Sequence, residues 1–121
     1  LPEGLPEYDV EIHEPERCPR YTATLIENVY DKQSPAWMKT LITNAGMRPI
    51  NAIVDITNFC MLATGQPMHA FDSTHVDGDK IVVRCAKEGE KLLLLDENDL
   101  DLQADDLVIC DAEAPLGLAG I

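Results

Sequence analysis

The sequence predicts an α+β fold in which two helices pack with short, mostly antiparallel strands. Two segments in the middle of the chain, 34–45 and 51–64, have the caps and the length of helices. Residues 80–111 instead contain short apolar or alternating runs separated by turn-forming residues, which is typical of strands. The chain has 121 residues, 45% of them hydrophobic, which suffices for one domain with a modest core.

The N-terminal part predicts two strands after a polar lead-in at residues 1–8. The run DVEIH at 9–13 alternates apolar and polar side chains, as a half-buried strand does. The run RYTATLIENVY at 20–30 is rich in Thr, Tyr, Ile and Val, and it predicts a longer strand.

The segment 34–45 predicts the first helix. Ser34 is the expected N-cap, Pro35 suits the first turn, and Gly46 suits a left-handed exit. The apolar residues at helical spacing on one face are Trp37, Met38, Leu41, Ile42 and Ala45. We expect this stripe to belong to the core.

The segment 51–64 predicts a second helix, because the run INAIVDITNFCMLATG is long for a strand despite its β-branched residues. Asn51 is the expected cap and Gly65 the terminator. Asp55 and Asn58 then lie on one side of a mostly apolar helix, with Thr57 nearby. Buried polar groups need partners, so these side chains either bond to neighbouring backbone or line a pocket.

The second half of the chain predicts β structure. The runs KIVVRCA, KLLLLD, LDLQ and LVICD begin at residues 80, 91, 100 and 107. A further apolar run, PLGLAGI at 115–121, reads as another strand that stops without a cap. We therefore expect residues 9–121 to form a single domain that is incomplete at its C-terminal end.

Charge and cysteine usage restrict the function. The formal net charge of −13 argues against a domain that grips a phosphate backbone by itself, although it allows contact with one end of a nucleic acid. Acids crowd the second half and predict a solvated acidic face. The four cysteines contain no C-x-x-C pair, which favours reduced thiols in a cytoplasmic protein over a zinc site, with two disulfides as the alternative. The absence of a long apolar run predicts no membrane association.

One constellation suggests chemistry. His69 lies in the loop GQPMHAFD at 65–72, where Gly65 and Pro67 restrict the backbone just past the second helix. We expect this loop to fold back and bring His69 near Thr57 and Asn58. An imidazole beside an amide and a hydroxyl suits hydrolysis of an ester by an activated water. A structural histidine held by hydrogen bonds is the alternative.

Four segments resemble one protein family. They are CPRY at 18–21, SPAWMKTLITNAGMRPINAIVDITN at 34–58, GQPMHAFD at 65–72 and PLGLAGI at 115–121. In this order they are similar to the internal editing domain of the β subunit of bacterial phenylalanyl-tRNA synthetase. The resemblance covers nearly the whole chain from residue 9, and it implies that the strands are arranged as sandwich-like sheets.

The resemblance implies a cytoplasmic ligase whose α subunit joins phenylalanine to tRNA with ATP and magnesium. The β subunit carries this domain, which hydrolyses tyrosine wrongly attached to the same tRNA. The implied partners are the α subunit and the rest of the β subunit in a heterotetramer, and the acceptor end of tRNA(Phe). No cofactor or metal is implied for the domain itself.

The resemblance also implies site residues. Positions matching Thr57, Asn58 and His69 line the editing pocket of the family, and we expect Asn58 and His69 to position the water and the ribose. The implied substrate-binding residues are Arg48, Gln66, Pro67, Met68, Gly117, Ala119 and Gly120. The glutamate that recognises the tyrosine hydroxyl in the family is expected after Ile121, so we expect the segment alone to be inactive.

Two other interpretations stay open. A non-catalytic module could use the same fold to shape the subunit interface and to steer the tRNA end. A free-standing relative could edit mischarged tRNA in trans, although YDVEIHEPERCPRY at 8–21 resembles the way the domain is entered from an upstream part of the β subunit.

Overall fold

The computed structural model describes residues 8–93 and 98–119. The chain divides into two compact units, one formed by residues 1–25 and 72–121 and the other by residues 26–71. The described residues form two α-helices and six β-strands. Three of the four strand pairings are antiparallel, so the predicted α+β class is confirmed.

The first unit contains all six strands. They are β1 (Asp9–Ile12), β2 (Lys80–Cys85), β3 (Lys91–Leu93), β4 (Asp99–Asp101), β5 (Leu107–Cys110) and β6 (Pro115–Leu118). Four of them form one sheet in the order β1-β2-β5-β6, while β3 and β4 form a separate two-stranded sheet. β1 runs parallel to β2, with Val10 opposite Ile81, and the other pairs are antiparallel.

A buried apolar cluster joins the two sheets. Val82 of β2 lies opposite Cys110 of β5, so both side chains leave the same face of the larger sheet. Leu92 of β3 and Leu102, which follows β4, belong to the same buried cluster. The two sheets therefore enclose one core, in agreement with the predicted sandwich-like arrangement.

The second unit contains α1 (Ala36–Asn44) and α2 (Ala52–Thr64). The predicted helix ends are largely confirmed for α2. The Asn51 side chain accepts a hydrogen bond from the backbone N–H of Val54, and Gly65 ends the helix in a left-handed conformation with φ 73°. Gly46 has φ 87° and provides the expected exit from α1.

The predicted N-cap of α1 is wrong. Pro35 is the N-cap residue and no side chain caps the helix. The Ser34 hydroxyl donates a hydrogen bond to the Asp55 carboxyl group instead. Ser34 is therefore engaged in a tertiary contact, which its position in the sequence does not indicate.

The predicted strand at 20–30 is also wrong, since these residues have no regular secondary structure. Asn28 has φ 58°, which interrupts an extended backbone, and no described strand pairs with the segment. Ile26 and Tyr30 are 71% and 70% exposed. β-branched and aromatic side chains favour a strand only where a neighbouring strand and a packing surface exist.

The predicted buried stripe of α1 is only partly correct. Met38 and Ile42 are buried, whereas Trp37 is 54% and Leu41 is 49% exposed. Ala45 is exposed as well. The Trp37 ring packs edge-on against Phe59 of α2, with 5.4 Å between ring centroids. The stripe is thus divided between the core and an open apolar surface.

Candidate functional site

The polar residues of α2 differ in how they are satisfied. Asp55 is completely buried, and its carboxyl group accepts hydrogen bonds from the Ser34 hydroxyl and from the Ile50 backbone N–H, the latter at 2.8 Å. For Asp55, the interpretation as a structurally bonded group is confirmed.

Thr57 also bonds within the fold. Its Oγ1 donates to the backbone carbonyl of Val54 at 2.8 Å. The hydroxyl hydrogen is therefore used within the helix, and only the oxygen lone pairs can accept a further hydrogen bond. Asn58 is half-buried, and within residues 8–93 and 98–119 its side chain makes no hydrogen bond. Because a carboxamide offers both donors and an acceptor, the Asn58 side chain is able both to donate hydrogen bonds to a ligand and to accept one.

The loop after α2 exposes the predicted histidine. Residues 66–70 have no regular structure and are exposed. The Gln66 N–H donates to Thr64 Oγ1 at 3.3 Å, which ties the start of the loop to the helix end. The His69 ring lies 4.5 Å from the Phe71 ring, centroid to centroid, at an angle of 49°. This contact orients the imidazole while its nitrogens make no hydrogen bond to the described residues.

Chain connectivity places the candidate residues of the second unit in three neighbouring segments. Arg48 is exposed in the loop between the helices, Thr57 and Asn58 are adjacent on α2, and the Gln66–Met68 turn precedes His69 beyond Gly65. The convergence of Asn58 and His69 on one cleft stays a prediction.

The remaining candidates belong to the first unit. Gly117 lies in β6 opposite Ile109, and a Cβ added there would meet no atom within 4 Å. The Ala119 N–H donates to the Leu107 carbonyl at 2.8 Å. The backbone of β6 is therefore open to close approach at Gly117. Gly120 lies outside the described residues.

Two surface hollows of the described chain contain none of the predicted site residues. The first unit has one of about 350 Å³, whose lining includes Glu11, Lys80 and Arg84. Two of its cations are paired, since Lys80 lies 2.7 Å from Glu11 and Arg84 lies 2.6 Å from Glu90. The second unit has one of about 270 Å³, lined by Leu41, Ala45, Phe59, Leu62 and Ala63. The first hollow is also lined by His13, whose Nε2 lies 3.0 Å from Oε2 of Glu11, whereas the lining of the second is apolar.

The described residues contain neither a metal-binding cluster nor a disulfide. Across residues 8–93 and 98–119 there is no group of three His, Cys, Asp or Glu side chains that could hold a metal ion. All four cysteines are free thiols, with Cys110 buried and the other three half-buried. Within the same ranges, no helix combines the length and apolar character needed to cross a membrane.

Sequence reasoning missed how Ser34, Ile50 and Asp55 are joined. The available signal was Asp55 itself, an acid within a mostly apolar helix, which had to find partners if buried. The identity of those partners depends on tertiary contacts between segments distant in the chain.

Comparison with known proteins supports the resemblance. A family model for the B3/4 domain matches residues 17–121. The phenylalanine--tRNA ligase β subunit of Desulfotalea psychrophila is 51% identical over 116 residues, covering 95% of this chain and 14% of the relative. The β subunit of Solibacter usitatus is 46% identical over 121 residues, covering all of this chain and 16% of the relative.

The β subunit of Thermotoga maritima is 45% identical over 115 residues, covering 95% of this chain and 15% of the relative. The chain thus spans about a seventh of the length of these curated relatives. The similarity extends across the described elements of both units. The chain belongs to the B3/4 domain family, and its curated relatives are β subunits of phenylalanine--tRNA ligase.

Proposed function

We propose that this chain is the editing part of a phenylalanine--tRNA ligase β subunit and that it hydrolyses tyrosine mistakenly attached to tRNA(Phe). The observation that carries the proposal is the contrast among the polar groups of the second unit. Asp55 and Thr57 use hydrogen bonds to hold the fold, whereas the Asn58 carboxamide and the exposed His69 imidazole form none within the described residues.

The limited selectivity of a phenylalanine pocket against tyrosine explains why an editing site is useful. An apolar pocket built for phenylalanine rejects an added hydroxyl poorly, by about a hundredfold. A second site that hydrogen-bonds the tyrosine hydroxyl discriminates better, because phenylalanine would leave the buried polar partner unsatisfied.

The proposed step is hydrolysis of the aminoacyl ester. A water oxygen attacks the carbonyl carbon, the bond from that carbon to the ribose oxygen breaks, and the ribose oxygen receives a proton. The products are tyrosine and tRNA. His69 would accept a hydrogen bond from the attacking water, and Asn58 would donate to the carbonyl oxygen or orient the ribose.

Thr57 would assist Asn58 and His69, because its oxygen can accept a hydrogen bond from the attacking water. The other candidates would bind substrate, and the exposed Arg48 guanidinium suits the phosphate of the terminal nucleotide. The turn formed by Gln66, Pro67 and Met68 would border the ligand. In the first unit, Gly117 offers an open backbone surface, and Ala119 lies two residues further along the chain.

We expect the grip on tRNA to come from other parts of the enzyme. The net charge of −13 is unsuited to holding tRNA, so basic surfaces elsewhere must bind it. We propose that the chain acts with an α subunit and the rest of the β subunit in a heterotetramer. ATP and magnesium would serve aminoacylation there, and the proposed hydrolysis in this domain uses neither of them.

The test uses the full-length synthetase with tRNA(Phe) charged in advance with tyrosine or phenylalanine. The wild-type enzyme should hydrolyse the tyrosyl ester much faster than the phenylalanyl ester. Asn58→Ala should reduce tyrosyl-ester hydrolysis by roughly a hundredfold, the scale of one lost transition-state hydrogen bond. Asn44→Ala, which alters an exposed asparagine at the end of α1, is the matched control.

Wild-type enzyme that leaves both esters intact would contradict the proposal and support a non-catalytic module that steers the tRNA end. Equal hydrolysis by Asn58→Ala and Asn44→Ala would contradict the role of Asn58 while leaving the editing activity in place.

A further inference from the structure

We infer that Asp55 is a positioning residue for the proposed editing site, because its buried carboxyl group joins the segment before α1, the loop that carries Arg48 and the helix that carries Thr57 and Asn58. This inference rests on the proposed function and adds a residue to which no role in the reaction has been assigned.

Three segments meet at this carboxyl group. Ser34 lies two residues before α1 and donates its hydroxyl hydrogen to Oδ2 of Asp55. Ile50 lies in the loop between the helices and donates its backbone N–H to Oδ1 at 2.8 Å. Asp55 lies in the first turn of α2, where its own N–H donates to the Asn51 carbonyl at 2.9 Å.

Packing alone does not require an acid here. Asp55 has no exposed surface, and Ser34 is 6% exposed, so both polar groups have been removed from water at a cost that an apolar pair would avoid. The hydrogen bonds of Asp55 instead hold two segments in defined positions, since each oxygen of the carboxyl group accepts from a different segment. The arrangement fixes where the loop and the helix lie relative to each other.

The groups fixed in this way are the proposed functional ones. Ile50 follows Arg48 by two residues, and Asp55 precedes Thr57 and Asn58 by two and three residues on the same helix. A displacement of about 1 Å between a positioning group and a reacting group can reduce catalysis by about a hundredfold. Asp55 would therefore affect hydrolysis without touching the substrate.

The experiment uses the full-length synthetase and pre-formed tyrosyl-tRNA(Phe). Ser34→Ala removes one donor to the carboxyl group, and Ser34→Thr retains the hydroxyl. Asp55→Asn retains the shape but replaces one acceptor with a donor. Ile42→Val, a conservative change at a fully buried position of α1, is a control for general loss of stability.

Ser34→Ala and Asp55→Asn should each lower kcat/KM of hydrolysis by about tenfold or more while the rate of phenylalanine attachment stays near wild type. Ser34→Thr should restore most of the activity lost in Ser34→Ala. The double variant Ser34→Ala/Asp55→Asn should be no slower than the slower single variant, because both changes break the same contact.

The inference is overturned if Ser34→Ala hydrolyses the ester as fast as Ile42→Val, or if the two substitutions act additively. Should Asp55→Asn fail to fold, the comparison of Ser34→Ala, Ser34→Thr and Ile42→Val decides the matter alone. An inactive wild-type enzyme would instead refute the proposed editing function, and the two failures are thereby distinguished.

Discussion

Individual acidic residues in the second half of the chain have different roles, and Glu90 and Asp111 depart from the predicted solvated face. Glu90 forms a two-point ion pair with Arg84, with N–O distances of 2.8 and 2.6 Å. Both side chains are only 14% exposed. Asp111 is buried and accepts from the N–H groups of Ala114 and Glu113. Burial of Asp111 opposes its ionisation, but the backbone donors outweigh burial and lower its pKa.

The pair Glu90–Arg84 predicts a pH-dependent stability. The hydrogen bonds from Arg84 lower the pKa of Glu90 from 4.5 to about 2. Because the folded pKa lies below the ordinary value, the stabilisation is complete above about pH 4.5 and is lost as the pH falls toward 2. Glu90→Gln should reduce the free energy of unfolding by roughly 2 kcal/mol at pH 7, and the difference should shrink in acid.

Urea unfolding at several pH values measures this effect. Glu88→Gln, a change at an exposed acid in the same turn, is the control and should cost little. A loss that is the same at pH 7 and at pH 3 would show that the ion pair is not its source.

Gly78 has a backbone conformation and a close neighbour that both disfavour a larger side chain. Its φ is 73°, and an added Cβ would lie 2.8 Å from the Cβ of Ala112. Gly89 has φ 75° and open space around the same position. Both alanine substitutions strain the backbone, but only Gly78→Ala adds a clash, so it should destabilise the fold by about 1 kcal/mol more than Gly89→Ala. Equal unfolding midpoints would contradict this account.

At the scale of elements, both ends of α2 are set by residues close to them in the sequence. Asn51 supplies an acceptor for the first turn of α2, and Gly65 supplies the left-handed exit. Such signals involve residues within one turn of each other, and for this reason the bounds of α2 could be predicted from the sequence. The pairing of residues 20–30 could not be predicted, because a strand depends on a distant partner that this segment lacks among the described strands.

The cap of α2 gives a prediction at this scale. Asn51→Ala removes the acceptor for the Val54 N–H, which lies at 3.0 Å, and should cost about 1 kcal/mol of stability. Asn51→Asp keeps an acceptor at the helix N-terminus and should cost much less. Thermal unfolding of the two variants tests the difference, and equal losses would indicate that the cap is not the cause.

At the scale of the whole molecule, helix caps and alternating apolar runs predicted the class of fold, and the resemblance implied the sandwich-like sheets. It identified the candidate site through motif resemblance and left the geometry open, because the approach of Asn58 and His69 depends on how the loop after Gly65 returns. The Ser34–Asp55 contact was not predictable either, since it joins residues far apart in the chain.

The overall charge gives another prediction. With 22 acids against 9 bases, the isolated chain should show no tRNA binding at physiological salt, whereas the full-length synthetase should bind with an affinity that falls as salt rises. Filter binding with labelled tRNA(Phe) over a salt series measures both. Tight binding by the isolated chain would contradict the proposed division of labour between this domain and basic surfaces elsewhere.

The most direct test of the proposed editing site compares two exposed histidines in the full-length synthetase, by single-turnover hydrolysis of tyrosyl-tRNA(Phe). His69→Ala removes the imidazole of the loop after α2, and His75→Ala removes one that lies 3.6 Å from Asp72 in the other unit. We predict that His69→Ala lowers the rate by a factor of about 10² or more and that His75→Ala leaves it unchanged. Hydrolysis at the same rate by both variants would contradict the proposed site.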